Sequence, residues 1–269
     1  MTAPRPPLFG RAAAVGRRAP RTSTEDEHRG GAVRGNGKRG TAGGTGGTSP
    51  VPGGPEAGTI GFVSLGLAES ALRAALHGTW DGVCNGGLLP PRAPAAVAHP
   101  NGFVKLPLAR LAHDPRRLFL HVWQDGCEDA HIHNHRWDFA STLLSGALDN
   151  TVVDITPAGP PRATDRTAVR HRPHGDGYRL DADGARRVAV TAVRTTTLRA
   201  GDHYGMSART LHRATAPPGT LTLVARGAPL HRNSLVLVDD EISGEPVRWT
   251  RVSPAERRAH LRRALGCLA

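Results

Sequence analysis

Hydrophobic and polar positions alternate along most of the chain in a way that predicts many short strands. Segments 102–111 and 117–125 combine β-branched, aromatic and aliphatic residues between turn signals, which is typical of strands. Clusters of Gly, Pro, Asp and Asn separate the later segments at the intervals of a β-sandwich. These later predicted strands are 138–148, 150–156, 185–198, 203–207, 220–227 and 233–238.

Helical spacing occurs only at the two ends of this β-rich region. Apolar residues within 69–80 recur at helical intervals and predict one amphipathic helix. Near the end of the chain, Ser253, Pro254 and Glu256 stand in the order of an N-cap, a first helical residue and a capping-box glutamate. We therefore expect a C-terminal helix over 253–269.

The first 58 residues have a different composition, rich in Gly, Arg, Thr and Pro and without a periodic apolar pattern. Such a segment buries too little apolar surface to offset its ordering entropy, so we expect a disordered tail over 1–58. The predicted organisation is this tail, a β-barrel domain with an N-terminal helix over 59–252, and the terminal helix.

Charge and cysteine content narrow the function classes. The 35 Lys+Arg exceed the 23 Asp+Glu by 12, but arginine is spread along the chain, and lysine occurs only at Lys38 and Lys105. This spread indicates a GC-rich genome more than a nucleic-acid-binding surface. The 3 cysteines lack the spacing of a disulfide framework or a cysteine-based zinc site, which favours a reducing cytoplasm. The sequence contains no apolar run of about 18 residues, so we expect no membrane-spanning segment.

The stretch HIHNHRWDF carries the main chemical signal. His131, His133 and His135 alternate with other residues, so in an extended strand all three would project from one face. A neutral imidazole is the commonest ligand for a borderline divalent ion. The pattern therefore predicts part of a metal site, which needs a further ligand from another segment.

The best further ligand lies in a second segment, where Gly201 and Asp202 mark a turn and His212 opens a later strand. The two segments together resemble the paired metal motifs of the cupin superfamily, His-x-His with a following glycine and then Gly-Asp with one later His. The resemblance covers about residues 102–238. It implies an all-β fold, a cupin-type double-stranded β-helix or jelly-roll barrel. The short flanking helices and the disordered N-terminal tail complete the predicted architecture.

Two registers of the first motif are open. Counting back from Gly146, the family spacing selects His133 and His135, which together with the distal histidine make the favoured ligand set. The alternative pair, His131 and His133, would bring Asp138 to the distance of the family's acidic ligand.

Under the favoured set, His133, His135 and His212, three neighbouring residues receive supporting roles. His131 would support a ligand or face the substrate, and Asp138 would orient a ligand imidazole by accepting its other N–H. Tyr204 either points into the barrel or packs in the core or at its rim. Trp123, Trp137 and Phe139 are expected to form the barrel wall around the metal.

HNHRWDF also resembles the corresponding stretch of three-histidine cupin dioxygenases, thiol dioxygenases among them. This resemblance implies a mononuclear Fe(II) oxygenase acting with dioxygen on a small metabolite, with an anionic substrate as one option. Zn, Ni and Mn stay open as metals, as do a non-catalytic ligand-binding cupin, a Lewis-acid isomerase or decarboxylase, and a homodimer. Arg136, Arg213 and Arg226 could meet an anionic substrate, but each is interpreted as a surface arginine.

Overall fold

The computed structural model describes residues 65–80, 87–92, 95–124, 131–239 and 244–269. The predicted tail over 1–58 lies outside the described residues, and the domain boundaries drawn from the sequence stay a prediction. Within the described part, no helix has the length and apolar content that crossing a membrane requires.

Two helices flank the strands of the described region. In chain order the elements are α1 (Leu65–His77), β1 (Leu88–Leu89), β2 (Val97–His99), β3 (Phe103–Leu111), β4 (Arg117–Trp123), β5 (Ile132–His133), β6 (Phe139–Ser145), β7 (Ala147–Pro157), β8 (Arg166–His174), β9 (Gly177–Arg199), β10 (His203–Met206), β11 (Leu211–Thr215), β12 (Leu221–Arg226), β13 (Ser234–Val238), β14 (Val247–Arg248), β15 (Thr250–Arg251) and α2 (Pro254–Gly266).

The strands form two antiparallel sheets. The first has the order β10-β6-β12-β4-β3-β2-β15, with β1 also on β3, and the second has the order β14-β9-β7-β11-β5-β13-β8. The long strand β9 also pairs with β8, so the second sheet closes on itself. The predicted all-β fold with short flanking helices is confirmed by this arrangement.

One face of the first sheet is covered by the two helices. Leu106 on β3, Leu120 on β4 and Leu223 on β12 are almost completely buried in one cluster with Leu72 of α1 and Leu261 of α2. The capping box predicted for the second helix is present, because Ser253 accepts from the backbone N–H of the third helical residue, whose side chain accepts in return. The helices thus seal this face with apolar contacts.

The opposite face of the same strands looks into the space between the sheets. Because side chains alternate along a strand, the neighbours of Leu106 and Leu120, namely Lys105 and His121, project inward. The two sheets meet there, since Phe139 of β6 lies 6.1 Å, centroid to centroid, from His212 of β11. This interior holds the candidate site.

The structure differs from the strand prediction at several points. β5 contains only Ile132 and His133, so the three alternating histidines do not share one strand. The segment 138–148 divides at Gly146, whose φ of 85° and close approach to Thr220 leave no room for a side chain. The sequence did not predict β8, because its arginines, histidines and proline break the alternation of apolar and polar residues by which strands are recognised.

Candidate metal centre

His133 and His212 are brought together by strand register. They are directly opposite one another in the antiparallel pair of β5 and β11, and opposite residues project from the same face of a sheet with neighbouring Cβ atoms. Their ring centroids lie 5.0 Å apart. A shift of one residue in this register would send one of the two imidazoles to the other face.

His135 reaches the same place from outside the strand. It follows β5 in the connection to β6, and its ring lies 4.9 Å from that of His133 and 5.1 Å from that of His212. Its Nε2 is 2.9 Å from His212 Nε2. The separation is that of a hydrogen bond, and it also fits two ligands of one metal, since two nitrogens bound at right angles to one ion at about 2.1 Å would lie about 3 Å apart.

The three histidines form a cluster with the dimensions of a metal site. One ring nitrogen from each lies within 4.8 Å of those of the other two. Imidazole donors suit Fe, Zn, Ni and Cu, whereas Mn prefers oxygen ligands. The donor set therefore fits a divalent iron, zinc or nickel ion.

Hydrogen bonds at Nδ1 select the nitrogen that two of the three imidazoles present to the cluster. His212 Nδ1 lies 2.8 Å from Asn150 Oδ1, which can only accept, so His212 carries its proton on Nδ1 and keeps an Nε2 lone pair. His133 Nδ1 likewise donates to the carbonyl oxygen of His131 at 3.0 Å. Partners of this kind on the far ring nitrogen orient metal-binding histidines and make them more basic.

Burial keeps two of the imidazoles neutral. Desolvation is the largest cause that lowers the pKa of His135 and of His212 well below the usual range, and the neighbouring His133 lowers both further. His212 is only 4% exposed. A neutral imidazole can offer a lone pair to a cation, so the environment favours the protonation state that metal binding requires.

The residues predicted to support the ligands have other positions. His131 is exposed and outside the cluster, and it contributes its backbone carbonyl to His133 instead of its side chain. Asp138 Oδ1 accepts from the backbone N–H of Ala208 at 2.7 Å. The orienting role expected of Asp138 therefore belongs, for His212, to Asn150, a residue that the sequence motifs did not single out.

Tyr204 and the aromatic residues form part of the wall beside the cluster. Tyr204 packs edge-on against Phe139 at 5.8 Å and borders a cavity of about 630 Å³ that Asn150 also lines. Phe139 and Trp137 lie 4.9 Å and 6.1 Å from the His135 ring. Trp123 belongs to a separate cluster with Phe103, so only two of the three predicted wall aromatics adjoin the imidazoles.

Sequence reasoning missed three basic residues on the inner face of the first sheet. Lys105, His121 and His99 lie on β3, β4 and β2, and the charge of Lys105 lowers the pKa of both histidines as well as that of His135. The sequence offered one sign that Lys105 is unusual, because it is one of only two lysines in an arginine-rich chain.

The position of Arg226 differs from the one that the sequence interpretation gave it. Expected at the surface, it instead lies against the Trp137 ring at 4.1 Å and the Phe119 ring at 5.0 Å. Arg213 is exposed, as expected. Arg136 donates to the backbone carbonyl of His231 and takes no part in the cluster.

The sequence matches no protein-family model and no curated protein. Among solved structures it is similar to an RmlC-like cupin from Shewanella frigidimarina, with 14% identity, a TM-score of 0.30, and coverage of 52% of this chain and 92% of that one. It is also similar to an acetylacetone dioxygenase from Acinetobacter johnsonii, with 13% identity, a TM-score of 0.29, and coverage of 68% and 87%. For hydroxypropylphosphonic acid epoxidase from S. wedmorenis the values are 14%, 0.29, 52% and 57%. All three likenesses are distant.

Proposed function

We propose that this protein is an Fe(II)-dependent oxygenase of the cupin type that acts on a small metabolite, with His133, His135 and His212 as the metal ligands. The supporting observation is the convergence of three imidazoles from β5, β11 and the connection after β5. Two of them have their Nδ1 atoms already bonded to acceptors, which leaves both Nε2 atoms available for one ion.

The charge of this ligand set favours oxygen chemistry with a substrate that binds the metal. Three neutral imidazoles leave the ion its full +2 charge and, at octahedral iron, three open positions. When bound, Fe(II) would supply a Lewis acid and a one-electron donor at these positions. A set that included a carboxylate would lower that charge and bind an anionic substrate less strongly.

The protein residues around the cluster would act by positioning and by excluding water. Asn150 holds the His212 ring in one orientation through its 2.8 Å hydrogen bond. Phe139 and Trp137 cover one side of His135 with apolar surface. Limited access of water strengthens electrostatic interactions at the ion and protects reactive species from side reactions.

The proposal also includes the cellular compartment and the binding partners of the protein. A reducing compartment such as the cytoplasm keeps iron in the Fe(II) state, and cysteines without disulfide spacing suit that compartment. The partners would be a small molecule and dioxygen, with no role for nucleic acid.

The test is anaerobic reconstitution with Fe(II), followed by metal analysis and exposure to nitric oxide as a dioxygen surrogate. We expect one equivalent of iron and the EPR signal of a high-spin iron–nitrosyl, since the three-histidine set leaves room for a gaseous ligand. Iron that binds without ever giving a nitrosyl signal would contradict an oxygenase. Turnover of a substrate that continues without air would instead assign the metal as a Lewis acid for isomerisation or decarboxylation.

A further inference from the structure

The inner face of the first sheet carries a lysine in an unusual setting. Lys105 projects from β3 into the interior, with its Nζ 4.7 Å from the centre of the Phe119 ring and 6.0 Å from that of Trp137. Ring faces attract a cation, but they replace only a small part of the hydration that an ammonium loses. Burial and, to a smaller extent, the charge of the nearby Arg226 accordingly lower the pKa of Lys105 to about 7.

A second cation contacts the same two rings. The guanidinium carbon of Arg226, at the end of β12, lies 4.1 Å from the Trp137 centroid and 5.0 Å from the Phe119 centroid. Desolvation and, to a smaller extent, the charges of Arg117 and Arg136 lower the pKa of Arg226 to about 10, so it stays charged at neutral pH. Two like charges are thus held around one aromatic pair, which is unfavourable unless an anion joins them.

Hydrogen-bonding groups without partners lie on the same inner face. Among the described residues, His121 Nε2, Ser141 Oγ and Arg226 Nε are buried and have no hydrogen-bond partner. His121 is directly opposite Lys105 in the pairing of β3 and β4, and Ser141 is opposite Val224 on the neighbouring strand β12. Buried polar groups are nearly always satisfied, so a concentration of unsatisfied ones indicates a ligand.

Carboxylates in the described part of the chain form no ion pair with these groups. In the described part of the chain, the ion pairs of Asp and Glu involve other arginines, and none involves Lys105 or Arg226. Buried cations of this kind are normally paired or bound to a ligand.

The metal cluster adjoins this group of residues. Trp137, which contacts both cations, lies 6.1 Å from the His135 ring. The charge of Lys105 lowers the pKa of His135, which places the two within electrostatic reach. A small molecule bound at the metal could therefore extend an acidic group toward the two cations.

We propose that Lys105, Arg226 and His121 form an oxyanion subsite that holds the carboxylate, phosphate or phosphonate group of the substrate beside the three-histidine centre. The two cations supply charge-assisted hydrogen bonds and His121 supplies a neutral donor. This inference rests on the proposed function for its link to the metal, and it makes the substrate of that centre a small acid.

The experiment measures binding of inorganic phosphate to the metal-free protein by phosphorus NMR, with acetate added as a competitor. We expect saturable binding that weakens roughly tenfold or more in Lys105→Met, because a charge-assisted hydrogen bond is lost. Arg213→Met, which removes an exposed arginine, is the matched control and should bind phosphate as the wild type does. Displacement by acetate indicates a carboxylate substrate, and its absence indicates a phosphate or phosphonate.

Two results would overturn the proposal: no saturable binding of either anion, or equal weakening in Lys105→Met and Arg213→Met, which would indicate a general effect of net charge. If Lys105→Met does not fold, phosphate binding by Arg226→Gln is compared with that of Arg213→Met instead. Iron stoichiometry is measured in parallel on the wild type and Lys105→Met. If the wild type binds no iron, the proposed function is refuted, while the result for anion binding still stands.

Discussion

The two faces of the first sheet, built from alternate residues of the same strands, have opposite characters. The helix-covered face carries leucines such as Leu106, Leu120 and Leu223, each no more than 2% exposed and packed against α1 and α2. The interior face carries Lys105 and His121, with unsatisfied polar atoms and lowered pKa values.

This difference in character indicates that one face stabilises the fold and the other binds ligands. Apolar burial on the helix-covered face contributes stability, at about 25 cal/mol per Å² of buried apolar surface. Desolvated cations and unpaired donors on the interior face reduce stability. Proteins keep such groups where they serve binding or catalysis, and a core elsewhere compensates. Substitutions on the two faces should therefore separate stability from metal and anion binding.

The largest effect is expected for His212→Ala. Removing one of three proposed ligands, and the one that also bonds Asn150, should abolish nearly all metal binding while the protein remains folded. Metal analysis and thermal unfolding measure the two outcomes. His260→Ala on α2 is the control and should keep its metal, and a full equivalent of metal in His212→Ala would refute the ligand set.

Leu120→Ala should have the opposite effect. Leu120 is completely buried beneath the helices, and truncating such a side chain costs about 2–5 kcal/mol of the free energy of unfolding. Metal stoichiometry of the folded protein should stay at the wild-type value. Denaturant unfolding measures the loss, with Leu230→Ala, at a residue 60% exposed, as the control. Loss of metal without loss of stability would break the separation of the two faces.

A smaller effect is expected for Asn150→Ala. Without the acceptor at Nδ1, the His212 ring loses its fixed orientation, and metal affinity should fall about 10–100-fold. Competition with a chelator of known affinity measures the change. Asn150→Asp retains an acceptor and should bind metal at least as tightly as the wild type. Equal loss in both variants would contradict the role of the Asn150 oxygen as the acceptor that orients His212.

The smallest effect concerns Lys105 and pH. Its pKa of about 7 in the folded protein lies below the usual lysine value of 10.5, so the unfolded chain binds more protons between these values. Wild-type stability should therefore gain a contribution as pH rises from about 7 toward 10. The titratable and charged groups that interact with Lys105 are Arg226, His121 and His99 on the same sheet and His135 beside it.

Lys105→Met should lack this contribution and be more stable than the wild type at pH 6, by about 1–2 kcal/mol, since water reaching the ammonium reduces the full effect. Urea unfolding at pH 6 and pH 9 measures it. A variant that is less stable than the wild type at pH 6 would mean that Lys105 already has a stabilising partner.

Much of the fold is readable from local patterns. The first helix, predicted over 69–80 and observed over Leu65–His77, the capping box at Ser253 and most strands follow from apolar spacing and turn residues, which act over a few neighbours. The clustering of His133, His135 and His212 was expected only through the resemblance to cupin motifs. The register that places His133 opposite His212 joins residues far apart in sequence, and no local pattern specifies it.

The interior cations could not be located in this way. In segment 102–111 a lone lysine between apolar residues is typical of the solvent face of a strand. Here the helices cover the apolar face, so Lys105 points between the sheets instead. The same applies to Arg226. Which face of an amphipathic strand meets solvent depends on where other elements dock, and that is a tertiary property.

The most direct measurement is a crystal structure of the Fe(II)-reconstituted protein with anomalous diffraction at the iron edge. One iron ion should lie at about 2.1 Å from a ring nitrogen of each of His133, His135 and His212. An anomalous peak elsewhere, or an ion that contacts only one of the three, would contradict the metal centre and the oxygenase function proposed from it.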